Sequence, residues 1–312
     1  MTTLTGFQLP EPLIPGSESW LATTSASQLC QITGSAPKKW GTRNSLWHEK
    51  RGTLPAEPQS KDMSRGHEFE PLIRRWFAEA NPQWVVEETS TWRHLEREWQ
   101  TADPDGVIRD PEDPEWLELF EAKTVDDIRS WESGIPDYYM DQCQWQMDTI
   151  GARRVHLAAC GPFELFHRSP KVFVVDYDPE YVAALHVAVR NFNDSLVLGF
   201  EPEPDWASPR DRLALRYKAP HIADQPVEVS DSIALDWLAF KAREVEKDTR
   251  GEVAVSKMLR EAGDCKQIFW QGVHIASRQK GRNGQPPILV AAKGIKDQAA
   301  ELIAAHRNGV AA

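Results

Sequence analysis

Between Gly66 and Ala80 the apolar residues Phe69, Leu72, Ile73, Trp76 and Phe77 recur at the spacing of one helix face, and Asn81-Pro82 ends the run. The pattern then changes. Strand-like segments follow at 84–92 (WVVEETSTW), 107–109 (VIR) and 116–123 (WLELFEAK), separated by the turn-rich ADPDG and RDPEDPE, which predicts a meander. Pro136 opens a helix over 136–150 that Gly151 ends, and strands are predicted at 154–160 and 171–177. Asp178 caps a further helix that runs to Gly199. Strands set among helices predict an α/β (α+β) core, a central mixed β-sheet flanked by helices.

The flanking regions pattern differently. Residues 1–19 are rich in Pro, Ser and Gly and predict an N-terminal arm, followed by short helices capped by Ser25 and Asn44 and ended by Gly34 and Gly52. The stretch TLPAEPQSKD predicts a loop. Residues 20–200 form the core, and 201–228, which begins FEPEPDWASPRD, predicts a Pro-rich linker. A C-terminal extension over 229–312 opens with Ser230 or Asp231 as cap of a helix carrying Ile233, Leu235, Trp237, Leu238, Val245, Val253 and Leu259. The candidate strands IFWQGVHIAS and PPILVAAK follow, with Arg278, Lys280 and Arg282 between them and a turn at Gly281-Arg-Asn-Gly284.

Length and composition narrow the class. The chain has 312 residues, 41% hydrophobic and 27% charged, which is ordinary for a globular enzyme. No apolar run approaches the roughly 18 residues of a membrane span, so the expected location is the cytoplasm, that of a bacterial host if the chain is phage- or prophage-encoded. Cys30, Cys143, Cys160 and Cys265 lie far apart and never form C-x-x-C, so they predict reduced, mostly buried thiols. Thirteen Trp residues supply core anchors or faces for base stacking. The histidines lack H-E-x-x-H spacing, and neither G-x-S-x-G nor a P-loop occurs. A net charge of −11 argues at first against a polyanionic partner.

The chemistry-bearing stretch is Pro104-Asp105-Gly106 followed by Glu121-Ala122-Lys123. Alternation along a strand points Glu121 and Lys123 the same way while Ala122 faces the core. An antiparallel return that brings Asp105 to Glu121 makes an all-oxygen pocket suited to Mg²⁺ or Mn²⁺, with a lysine to orient or activate water and stabilise phosphorane charge. The pair by itself also fits a plain turn beside an edge strand with solvated charges. Two features add to it: Gly66-His-Glu68-Phe-Glu70 sets a carboxylate on the preceding helix, and Tyr138, Gln142 and Trp145 share one face of the following one.

In this order the motifs resemble the PD-(D/E)XK nuclease superfamily, and within it the YqaJ-type viral recombinase family that includes phage lambda exonuclease. The carrying residues are Gly66 with Glu70, Ala102-Asp-Pro-Asp105-Gly106, Glu121-Ala-Lys123 and Tyr139-Met-Asp-Gln142-Cys-Gln144, within a match from about residue 20 to residue 200. The resemblance implies a restriction-endonuclease-like core. It makes Asp105 and Glu121 metal ligands, the Ala122 backbone carbonyl a further ligand, Lys123 the water-activating residue, Glu70 the helix carboxylate serving the metal, and Gln142 the active-site glutamine. Glu68 is the rival for the helix role, and a plain polar residue near a helix N-terminus is the alternative for Gln142. It implies two Mg²⁺ (or Mn²⁺) ions per site, double-stranded DNA ends as substrate, and 5′→3′ hydrolysis that leaves 3′ single strands for an annealing protein in phage-type recombination. It also implies a homo-oligomer, with 229–312 serving oligomerisation or partner contact.

The chain departs from the family at its N-terminal segment. Trp20-Leu-Ala-Thr-Thr-Ser25-Ala26-Ser27 resembles the family's phosphate-holding segment, but no arginine lies between Met1 and Lys38. Ser27 is left as a candidate phosphate contact, with Lys38, Lys39, Arg43 and Arg65 as candidate DNA contacts. Readings from other classes are a catalytically silent DNA-binding or assembly protein of the same fold, and a site-specific endonuclease. Metal-dependent mononucleotide release separates the first from a nuclease, and closed circular DNA separates the second from an exonuclease. The acidic residues concentrate between Glu98 and Asp137, whereas 38–75 carry Lys38, Lys39, Arg43, Lys50, Arg51, Lys61, Arg65, Arg74 and Arg75, so the charge distribution predicts a basic DNA track beside an acidic exterior.

Overall fold

A computed structural model describes residues 4–218, 221–242, 249–282 and 285–310. It is mixed α/β, with three sheets flanked by helices, and it divides into two compact units: Met1–Pro37 with Glu49–Glu201, and Lys38–His48 with Pro202–Ala312. Among the described residues no helix is long and apolar enough to cross a membrane.

The first unit begins with β1 (Gly6–Gln8), α1 (Glu18–Leu21), β2 (Thr24–Ser25) and α2 (Leu29–Thr33). Helix α3 (Arg43–Lys50), whose residues 43–48 belong to the second unit, precedes α4 (Lys61–Ala80), β3 (Val85–Glu87), β4 (Trp92–His94), β5 (Gln100–Ala102), β6 (Gly106–Asp110) and β7 (Asp113–Thr124). Then come α5 (Asp137–Ile150), β8 (Arg154–Cys160), α6 (Pro162–His167), β9 (Lys171–Asp176) and α7 (Pro179–Leu198). The main sheet runs β3-β6-β7-β8-β9, antiparallel except for the parallel pair β7 and β8. A second sheet runs β1-β4-β5-β2.

The long helix α4 starts at Lys61 rather than Gly66 because the Ser60 side chain accepts from the Met63 N–H and caps the first turn. Its apolar stripe, Ile73, Trp76 and Phe77, packs on Ile108, Phe120, Ala158 and Cys160 and covers one face of the main sheet. Residues 84–92 do not form one strand. They split between the two sheets, and at the break Thr89 accepts from the Trp92 indole while Thr91 bonds Asp103. The N-terminal arm is anchored by β1, which pairs with β4; there Gly6 is obligatory, since a Cβ would collide with the Thr149 carbonyl oxygen. Cys30, Cys143 and Cys160 are buried, Cys265 is half-buried, and all are free.

The second unit contains α8 (Pro209–Lys218), β10 (Ala223–Glu228), α9 (Asp231–Lys241), α10 (Thr249–Ala262), β11 (Cys265–Trp270), β12 (Val273–Gln279), β13 (Ile288–Ala291) and α11 (Ile295–Val310). Its sheet runs β10-β11-β12-β13 over a core of Trp237, Leu238, Met258, Ile268, Trp270, Ile275 and Ile303. The stretch 201–228 holds α8 and β10 where a linker was expected. Asp211 is the reason: fully buried, it accepts from Thr42 at 2.5 Å, Ser208 at 3.1 Å and the Asp205 N–H at 2.9 Å. The single expected helix after Ser230 is two, α9 and α10, and Val245 lies outside the described residues. The run IFWQGVHIAS turns back at Gln271-Gly272, both with positive φ, and becomes β11 and β12. Asn283 and Gly284 of the expected turn also lie outside the described residues.

In the first unit one carboxylate gathers four side chains. Asp148 on α5 accepts from Arg97 at 2.8 Å, Gln100 at 2.8 Å and Tyr177 at 3.2 Å, and its Oδ2 lies 2.9 Å from His186 Nε2. Burial works against its charge, but the bonds from His186 and Gln100 and the charge of Arg97 outweigh that and bring the carboxyl down to about 2. Because the folded value lies below the ordinary 3.8, the stabilisation is present above the ordinary value and is lost as pH falls through the folded one. Asp148→Asn is expected to cost about 2 kcal/mol at pH 7 and to cost progressively less below pH 4. Urea unfolding of both proteins at pH 7 and pH 3 checks this, and an equal difference at the two pH values would refute it.

Candidate active site

Strands β6 and β7 pair antiparallel with Gly106 opposite Phe120 and Val107 opposite Leu119. One step further along this register puts Asp105, at the end of the Pro-Asp-Gly turn, across from Glu121. The juxtaposition is fixed by a hydrogen bond, the Ala122 N–H donating to Asp105 Oδ2 at 2.7 Å. Gly106 is needed at the turn: a Cβ would meet the Glu87 carbonyl oxygen at 2.8 Å and Arg74 Cδ at 3.2 Å. Alternation along β7 sends Phe120 and Ala122 to the α4 face and Glu121 and Lys123 to the other, where α5 supplies their partners.

Glu121 is 1% exposed, and its carboxylate is fully engaged. Lys123 Nζ and Gln142 Nε2 donate to Oε1, the latter at 2.7 Å, and Gln146 Nε2 donates to Oε2 at 2.8 Å. Gln142 and Gln146 are one helical turn apart on α5, so both amides reach the same carboxylate. Lys123 also lies 5.1 Å from the centroid of the Tyr139 ring. Burial opposes the Lys123 charge, but the carboxylates of Glu121 and Asp105 overcome it and hold the ammonium well above the ordinary lysine range.

Helix α4 closes the site from the other side of the turn. Arg74 donates to the Asp105 carbonyl oxygen at 2.6 Å, lies 3.5 Å from Glu70 and pairs with Glu88 at 2.8 Å. Burial, and after it the charge of Glu121, push the carboxyls of both Glu70 and Asp105 up, Asp105 strongly. Three carboxylates thus gather around the half-buried Lys123.

That charge imbalance is the observation against which a divalent cation is tested. Glu70, Asp105, Glu121 and the Ala122 carbonyl are hard oxygen donors suited to Mg²⁺ or Mn²⁺, and a cation would relieve the repulsion that raises Asp105 and Glu70. Among the described residues no three His, Cys, Asp or Glu side chains form a ready cage. The residues fit the ion by charge and donor type.

The structure brings together Glu70, Asp105, Glu121, Ala122, Lys123 and Gln142; Glu68 is exposed. The candidate DNA contacts of this unit have other partners. Ser27 is exposed, with its Oγ 3.0 Å from that of buried Ser25, and Arg65 pairs with Asp62 and Asp126. Lys38, Lys39 and Arg43 belong to the second unit, where Lys38 pairs with Asp205. The basic run does not form one surface track, because two of its members turn inward: Arg74 into the turn just described, and Lys50 toward the Trp20 and Thr23 carbonyl oxygens and the Trp20 ring, with burial bringing its amine down to about 7. Trp145, expected beside Gln142, is fully buried against Trp99 and His186. The sequence does not single out Gln146, whose signal there is the four-residue step from Gln142.

Residues 20–153 match the family model of the YqaJ-like viral recombinase domain. Among solved structures, an alkaline exonuclease (LHK-Exo) from Laribacter hongkongensis is similar at 20% identity and a TM-score of 0.48, over 59% of this chain and 94% of that one. A phage-related exonuclease from Haemophilus somnus 129PT is similar at 15% identity and a TM-score of 0.42, over 57% of this chain and 96% of that one. No curated protein matches the chain.

The crowding of carboxylates has a measurable cost. Asp105→Asn removes one charge while its carbonyl oxygen can still accept from Ala122, so the metal-free variant is expected to melt about 2–4 °C above the native protein at pH 7, a gain of roughly 1 kcal/mol. The gain shrinks as pH falls and the native carboxyl takes up its proton. Thermal melts in EDTA at pH 7 and pH 4.5 check this; a lower melting temperature at pH 7 would show that the cluster is not repulsive.

Proposed function

With a YqaJ-like viral recombinase domain over residues 20–153, we propose that the chain is a metal-dependent DNA exonuclease that acts on linear duplex ends. The observation that carries this reading is the meeting of Asp105, Glu121 and Lys123 across β6 and β7, with Gln142 bonded to the same oxygen of Glu121 as Lys123. Acidic pairs beside a lysine are suited to phosphodiester hydrolysis, in which negative charge builds on phosphorus-bound oxygens and a water must be aimed in line.

Asp105, Glu121 and the Ala122 carbonyl would hold Mg²⁺ or Mn²⁺, with Glu70 alongside. Two such ions per site, when bound, would supply Lewis-acid activation of the phosphodiester and of water. Lys123 orients the attacking water and offsets developing charge on the phosphoryl oxygens. Gln142 keeps the Glu121 carboxylate turned toward Lys123. Arg74, bonded to the Asp105 backbone, holds the turn in place as substrate arrives. By family resemblance the direction is 5′→3′, the product is a 3′ single strand for an annealing protein in phage-type recombination, and the enzyme works as a homo-oligomer in the cytoplasm. Ser27 and Arg65 are the candidate DNA contacts in this unit, with Lys38, Lys39 and Arg43 in the other.

Linear duplexes with 5′-phosphate or 5′-hydroxyl ends and a closed circular duplex, each incubated with Mg²⁺ or with EDTA, test the proposal. Mononucleotides are expected from the linear substrates with Mg²⁺ alone, while the circle stays intact. Cutting of the circle would favour an endonuclease, and no metal-dependent release from any substrate would favour a silent DNA-binding protein. Lys123→Ala is expected to lower turnover by roughly 10²–10⁴-fold with duplex binding retained; undiminished hydrolysis would remove Lys123 from the mechanism.

A further inference from the structure

Gln146 occupies a position where a polar side chain is costly. It is completely buried on α5, between Trp145 and Met147, which are also fully buried. Its Nε2 donates to Glu121 Oε2, yet its Oε1 is buried and has no hydrogen-bond partner among the described residues. A buried amide oxygen left unmatched costs about 1–3 kcal/mol, a loss that an apolar side chain of the same size would avoid. Turning the amide over is no remedy, because its oxygen would then face the carboxylate, lone pair against lone pair.

We propose that Gln146 is a positioning residue that fixes the plane of the Glu121 carboxylate for metal binding, an inference that rests on the metal-dependent reading above. Glu121 has two oxygens and one free rotation about the bond to its carboxyl carbon. Lys123 and Gln142 both act on Oε1, and a carboxylate held at one oxygen alone still pivots about it. Gln146 holds the second oxygen, so the carboxylate has two fixed points, both set by α5. The neighbouring Gln144 acts elsewhere. Its Nε2 donates to the Asp176 carbonyl oxygen at 2.8 Å and its Oε1 accepts from the Asp178 N–H at 2.9 Å, which joins α5 to the start of α7 and leaves Glu121 untouched.

Gln146→Met keeps the length and volume of the side chain and removes the amide. The test is titration of Mn²⁺ into the full-length protein without DNA, followed by calorimetry, alongside melting curves in EDTA. The expected result is Mn²⁺ binding weakened about 10-fold, within the range for losing a residue that orients a metal ligand. Gln144→Met is expected to lower the melting temperature and leave Mn²⁺ affinity unchanged. Native affinity in Gln146→Met overturns the proposal, as does equal weakening in both variants, which would reflect general loosening of α5. If the native protein binds no Mn²⁺, the metal-dependent reading falls and takes this inference with it. Gln146→Leu serves the same comparison if the methionine variant does not fold.

Discussion

The register between β6 and β7 is the constraint on which the rest of the first unit depends. Asp105 lies opposite Glu121 only because Gly106 pairs with Phe120, and a slip of one residue would send Glu121 and Lys123 to the face covered by α4 and Phe120 and Ala122 to the face of α5. Such a slip would bury two charges among Ile73, Trp76 and Phe77, which no packing could compensate. The hydrophobic face therefore enforces the position of the polar one. Strand β7 is bonded on both sides, to β6 and β8, so the carboxylate it carries is held by the interior of a sheet and not by a loop.

On that frame the two helices divide the work. Helix α4 gives its apolar stripe to the sheet and its Arg74 to the turn, while α5 gives amides to Glu121 and Asp148 to the network of Arg97, Gln100, Tyr177 and His186. The two acidic centres have opposite electrostatics. Asp148 is surrounded by donors and is stabilised as an anion. Asp105 and Glu70 are destabilised as anions, first by burial and then by the charge of Glu121. A centre of the first kind holds a fold together, and a centre of the second kind is one whose strain a cation would relieve.

Much of this arrangement was legible in the sequence because it is local. The spacing of Phe69, Leu72, Ile73, Trp76 and Phe77, the Pro-Asp-Gly turn, and the alternation of Glu121 and Lys123 each depend on residues a few positions apart. What was not legible depends on partners far along the chain. Gln146 looks like any helical glutamine until Glu121, 25 positions away, is beside it. Lys50 and Arg74 look like surface charges until the carbonyl oxygens they serve come into view. The segment 84–92 has the composition of one strand, and only the competing pairings with β6 and β5 divide it. The linker expected over 201–228 failed for the same reason, since Asp211 finds its partner in Thr42.

That last contact bears on the order of synthesis. Residues 38–48 belong to the second unit, and Thr42 and Asn44 find their partners in Asp211 and the Pro202 carbonyl. Some 150 residues must emerge between the two segments, which at 5–20 residues per second takes roughly 8–30 s. Throughout that time Asn44, Leu46 and Trp47, buried in the finished protein, have no second unit to enter. The nascent chain therefore carries an exposed piece of its later half while its earlier half folds, an interval in which a chaperone or a second nascent chain competes for the same residues.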